Sequence, residues 1–271
     1  MSTPLPQPNR DRLSALTALV LLTYTLLRVV NLPTYEASVT ILSFRVSLQL
    51  NAQLVLMSLV AALTIAGVDW LIELHPQKKT GWGRIQHWII PGMAAIGAGA
   101  IVSRIPQGPW LWLGLVIAAF LLVAVLVAEF IMVDPADPRH DYVALALTTM
   151  GYLLIIGLLF AMRVSSLRAV LAIPLTMLAG GALTWRWARM QPSGEGAVRY
   201  AIAVGGLLAQ LAWGLHYLAL DPWRAAMILG LGLYLGNGMT QSIEAGDNSR
   251  SRMAELLVIG IAGLSAILLL T

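Results

Sequence analysis

Apolar residues run through this chain in long, almost uninterrupted blocks, and polar residues gather in the short gaps between them. The block Leu111 to Val133 shows the pattern best, because Glu129 is its single charge. At a rise of about 1.5 Å per residue it makes a helix of roughly 35 Å, enough to cross a bilayer core of about 30 Å with some tilt. It ends at Asp134-Pro135-Ala136-Asp137-Pro138-Arg139-His140-Asp141, where two prolines and three aspartates cannot continue a lipid-facing helix. Repeating this reading along the chain predicts an all-α integral membrane protein. It is a single transmembrane domain over 1–271, a bundle of about nine transmembrane helices near 12–32, 50–74, 88–104, 109–133, 142–163, 167–188, 198–219, 223–244 and 253–270. Eight spans with one re-entrant segment is the alternative count.

One stretch breaks the helical pattern. Leu42 to Asn51 alternates apolar and polar residues strictly, the period of a strand with one buried face. A short extended or hairpin segment is therefore expected at 37–50, against the alternative of an interfacial helix leading into the second span. The first apolar block, Leu13 to Val30, exceeds the roughly 7–15 residues of a signal-peptide core and reads as a retained span.

Composition sharpens the membrane reading. Hydrophobic residues make up 58% of the chain and charged residues 11%, and the mean hydropathy is +0.79. Soluble domains carry about 25% charged residues, so most of this surface must face lipid. The net charge of +4 is scattered, with no basic run to suggest nucleic acid. Cysteine is absent, which removes disulfides, thiolate metal sites and cysteine nucleophiles together.

Lysine and arginine are unevenly shared between the two sides. The N-terminus and even-numbered loops hold eleven of them and the odd-numbered loops six. Basic loops resist translocation, so the N-terminus is expected inside and the C-terminus outside a bacterial cytoplasmic membrane. Five tryptophans fall at predicted span ends, at 88, 110, 185, 187 and 223, where amphipathic rings prefer the headgroup layer. A faint repeat also runs through the chain. Pro109-Trp110 opens the fourth span and Pro222-Trp223 the eighth, and the pairs Asp134 and Asp247, and Gly83 and Gly196, share that offset. Coincidence is the competing explanation.

Ionisable residues inside spans are costly and count as functional candidates. The richest predicted cluster is Asp69, Glu73, His75, His87, Glu129, Asp134, Asp137, His140 and Asp141. Convergence of the second, third and fourth spans would gather carboxylates and imidazoles able to bind a divalent metal or relay protons, with Glu129 and Asp69 deepest. The plainer alternative is a solvated rim paired with Lys78, Lys79, Arg84 and Arg139. His216, among Trp213 and Tyr217, is the candidate ligand for a pigment. Asn237 and Gln241 are four residues apart on one helix face and could bind a ligand or hydrogen-bond a neighbouring helix. A substrate path through Asn51, Gln53, Gln210, Asn237 and Gln241 is the sharper version. Gly232 and Gly236, Gly97-Ala98-Gly99-Ala100, and Ala179-Gly180-Gly181-Ala182 read as packing faces.

Nucleotide, zinc-protease and serine-hydrolase signatures are all missing, and no motif signals a cofactor. Bound lipid is expected. His87-Trp88 with Pro91, the Asp134-Pro135…Asp137-Pro138-Arg139 loop, and Ala212-Trp213…His216-Tyr217 leading to Asp221-Pro222 together resemble an uncharacterised family of bacterial polytopic membrane proteins, a domain of unknown function. The resemblance implies a membrane protein and carries no activity. The residues favour a non-catalytic membrane subunit or accessory protein, whose partners are lipids, other membrane proteins or itself. A carrier for a small or lipidic substrate, and an enzyme acting on a lipid-linked substrate at the cytoplasmic face, are the alternatives.

Overall fold

A computed structural model of the chain describes residues 7–29, 35–41, 44–50, 52–77, 81–165, 168–191, 194–244 and 250–269. Long helices dominate these residues, and seven of them are long and apolar enough to cross a membrane. The chain forms two compact units, residues 1–147 and 148–271.

In the first unit, α1 (Arg10–Val29) leads to strands β1 (Tyr35–Ile41) and β2 (Phe44–Leu50). There follow α2 (Ala52–Ile72), the single turn α3 (Trp82–Ile85), α4 (Ile89–Val102), α5 (Pro109–Ile131) and the start of α6 (His140–Val164). Asn9 caps α1 by accepting the backbone N–H of Asp11 and Arg12, and Pro109 opens α5 in the first-turn position where its missing N–H costs nothing. The two strands pair antiparallel, Tyr35 opposite Leu50 and Ile41 opposite Phe44. The extended segment expected at 37–50 is thus a hairpin that begins at Tyr35.

The core of this unit is built from helical stripes. Leu16, Val20 and Tyr24 of α1 meet Val60, Val68 and Leu71 of α2, Ala95, Ala98 and Val102 of α4, and Leu115, Ala118, Leu122, Leu126 and Phe130 of α5. Spacings of three and four put each set on one helix face. The buried Tyr24 hydroxyl donates to the Ala95 carbonyl at 2.6 Å. Gly99 lets Tyr24 in, since a Cβ there would lie 2.8 Å from the ring. The expected packing face of Gly97 to Ala100 is this contact.

The second unit contains the rest of α6, then α7 (Ala169–Met190), α8 (Ala197–His216), α9 (Pro222–Glu244) and α10 (Arg250–Leu269). Here α7 and α8 approach backbone to backbone: a Cβ on Gly205 would lie 2.7 Å from the Met177 carbonyl oxygen, and one on Gly181 3.1 Å from that of Ala201. Gly232 and Gly236 of α9 face Leu211 and Val204 of α8, so this GxxxG spacing also packs helices. Asp221 caps α9, accepting the Trp223 N–H at 3.1 Å.

Helices α5 and α9 have equal lengths of 23 residues and both open on Pro-Trp. The other signs of a repeat do not extend this match. Gly196 caps α8 with φ 75°, Gly83 lies inside α3, and Asp247 lies outside the described residues.

Candidate functional site

The first unit holds a buried acid–imidazole pair. Glu129 lies on the inward stripe of α5, in line with Leu122, Leu126 and Phe130, so the helix period itself carries its carboxylate into the core. His87 sits in the turn between α3 and α4, its N–H bonded to the Arg84 carbonyl. The His87 Nδ1 lies 2.8 Å from Glu129 Oε2, and the side chains are 1% and 0% exposed. Water is shut out, which makes the pairing electrostatically strong and the loss of one partner costly.

The neighbouring Gln86 defines the protonation choices, because its Nε2 lies 3.3 Å from His87 Nε2. With the amide N–H donating to that nitrogen, His87 is neutral and gives its Nδ1 proton to an ionised Glu129. With the amide turned over, its oxygen accepts an Nε2–H and the pair holds one more proton, between His87 Nδ1 and the Glu129 carboxyl. A half-turn of Gln86 therefore separates the two charge states. The arrangement can hold or exchange one proton, and it fixes α4 against α5 in either state.

His75 is buried nearby with its ring edge on Phe130, centroids 4.7 Å apart. Its Nδ1 accepts the Gln77 N–H at 3.1 Å, so the remaining proton sits on Nε2. Burial pushes the His75 pKa below its ordinary value, outweighing the pull of Asp134 and Asp137, and His87 adds to the lowering.

The rest of the predicted cluster lies at the rim. Asp69, expected deep, is a third exposed and pairs with Arg84 at 2.6 Å, because α3 brings that arginine back over the end of α2. Glu73 is exposed. Asp134 accepts the Ala136 N–H in a local turn. Asp137 accepts from the Arg139 backbone at 2.8 Å and from its guanidinium at 3.0 and 2.7 Å. These bonds, the guanidinium first, hold the Asp137 carboxyl down to about 2. His140 faces a fully exposed Asp141 at 3.3 Å. Among the described residues no three His, Asp or Glu side chains form a group able to hold a metal. Lys78 and Lys79 lie outside the described residues.

In the second unit Asn237 is buried. Its Oδ1 accepts the Thr184 hydroxyl at 2.8 Å and its Nδ2 donates to the Tyr152 hydroxyl at 2.9 Å, tying α9 to α7 and α6. Gln241 is exposed and accepts from Arg252 at 3.1 Å. Gln210 is exposed as well, while Asn51 and the Gln53 side chain are outside the described residues. Asn237 thus spends its amide on two helices of its own unit. His216 is exposed, its ring 5.9 Å from that of Tyr217, and it borders a cavity of about 270 Å³ together with Arg163. Gln86, Thr184, Tyr152 and Arg163 are not among the site residues that the sequence suggests. The position of Gln86 beside a histidine at a span entrance was the one usable signal.

A family model described as "Protein of unknown function (DUF5656)" matches residues 32–270. The chain belongs to this family. The match contains both the His87–Glu129 pair and the Asn237 network. No curated protein matches the chain, and no solved structure does.

Proposed function

We propose that this chain is a non-catalytic, multi-pass subunit or accessory protein of a larger membrane assembly. The observation that supports it best is the closed His87–Glu129 pair. Glu129, the most deeply buried carboxylate among the described residues of the first unit, faces the turn that leads into α4, which is what a fastening does. Large apolar side chains on α5, Trp112 and Phe120 among them, are 70% and 77% exposed, suited to lipid or to a partner's helices.

In the finer form of this proposal the chain makes about nine spans in a bacterial cytoplasmic membrane, with the N-terminus inside. The excess of basic residues in the even-numbered loops supports that orientation. Native mass spectrometry of the protein extracted from its own membrane in mild detergent tests the role. Stoichiometric co-migrating membrane proteins are expected, and a lone protomer that turns over a substrate unaided would overturn it. Orientation is read from single cysteines, which the cysteine-free chain makes simple. With an impermeant maleimide on intact cells, Gln107→Cys should label and Gln77→Cys should label only after permeabilisation. The opposite pattern reverses the topology.

A further inference from the structure

The cavity beside His216 is formed where four helix ends of the second unit meet: the last turns of α6 and α8 and the first turns of α7 and α9. Its walls are chiefly apolar, with Leu159, Ile173 and Leu229 among them, and its polar members include Arg163, Thr176 and His216. Thr176 satisfies itself on the Ala172 carbonyl at 2.8 Å. Arg163 is held in place by α8, donating from Nη2 to the carbonyls of Leu215 and Leu218 at 2.8 and 2.9 Å. Both bonds use the same nitrogen, which among the described residues leaves the donors on Nε and Nη1 for a ligand.

The helix ends around the cavity differ in sign: the last turns of α6 and α8 turn carbonyls toward it, and Arg163 answers those of α8. The first turn of α7 presents the positive end of its dipole, and its N-cap residue, Arg168, supplies no side-chain cap. What favours an anion is the guanidinium of Arg163, fixed by two carbonyls with Nε and Nη1 still to give, beside His216. Apolar walls behind those groups favour a hydrocarbon tail on that anion.

We propose that this cavity binds the headgroup and upper acyl chain of an anionic lipid, with Arg163 contacting the phosphate or carboxylate. The proposal goes beyond the subunit role and stands whether or not a protein partner is found.

The test uses the full chain, stripped of lipid in a neutral detergent, with native mass spectrometry reading adduct occupancy. The probes are dioleoyl phosphatidic acid, dioleoyl phosphatidylcholine and inorganic phosphate. A one-to-one phosphatidic acid adduct is expected, about tenfold tighter than phosphatidylcholine, because the contact is a charge-assisted hydrogen bond. Arg163→Gln should erase that preference. Ala172→Phe, which fills the cavity from α7 and leaves the Arg163 bonds alone, should weaken both lipids. Each variant is checked by its melting temperature, and Ala172→Phe decides if Arg163→Gln fails to fold. Equal binding of the two lipids overturns the proposal, as does wild-type binding by a folded variant. Displacement of the lipid by inorganic phosphate would assign the site to a free anion instead and would overturn the lipid assignment.

Discussion

Glu129 and Asn237 are both buried polar residues on 23-residue helices that begin Pro-Trp, yet the two units satisfy them by different chemistry. Glu129 meets an imidazole, in a pair where one proton decides the charge. Asn237 meets two hydroxyls, and every group in that network stays neutral at any ordinary pH. A carboxylate without its partner is an uncompensated charge in an apolar core; an amide without its partner is an unmade hydrogen bond. The first unit therefore depends on one pair far more than the second depends on one network, and the second relies on the close approach of α7 and α8.

The largest expected effect comes from Glu129→Leu, which strands His87. Removing one member of a buried pair costs about 3–5 kcal/mol, seen as a lower melting temperature and faster hydrogen exchange in α4 and α5. The double variant Glu129→Leu with His87→Phe should recover most of that loss. A double variant no better than the single would show that the pair does more than fasten helices.

Next is Gly205→Ala, whose Cβ would press on the Met177 carbonyl. Overpacking of this kind costs roughly 1–3 kcal/mol, with faster exchange in α7 and α8. Unchanged exchange there would move the weight of the second unit onto its polar network. Asn237→Leu should cost less, since hydrogen bonds between membrane helices average about 0.6 kcal/mol. A loss as large as that of Glu129→Leu would erase the contrast between the two units.

The smallest effect is that of pH on the first unit. The folded pKa of His75 lies below the ordinary 6.5, so the unfolded chain takes up protons first as pH falls. The stabilisation is full above about 6.5 and declines below it. Asp137, held down to about 2 from 3.8, adds stability above 3.8 that is lost between those values on further acidification. A melting temperature followed from pH 8 to pH 5 should fall, and His75→Phe should flatten that slope.

The sequence made the helices legible because lipid imposes a length and an apolar composition on every span. The expected span 109–133 and the helix Pro109–Ile131 differ by two residues at one end. Glu129 was recognisable as deep, being the one charge in an apolar stripe. His87 stood in the same candidate cluster, but not as its particular partner, because the meeting of residues 87 and 129 is set by how α4 slides along α5, a quantity no local pattern records. Asp69 was misplaced for a related reason: nothing local showed that α3 returns Arg84 to it. The alternation at Leu42 to Asn51 marked one strand of the hairpin, while Tyr35–Ile41 became its mate through pairing.

Helix α4 has only fourteen residues, a rise of about 21 Å, while the hydrocarbon of an average bilayer is about 30 Å thick. The turn that carries Gln86 and His87 makes up the difference with α3, since the apolar stretch Gly83–Val102 counts 20 residues, a rise of about 30 Å. Mismatch costs fractions of a kcal/mol per ångström, so acyl-chain length becomes a variable that this protein feels. A bilayer thicker than this span would pull against the very turn in which His87 is set.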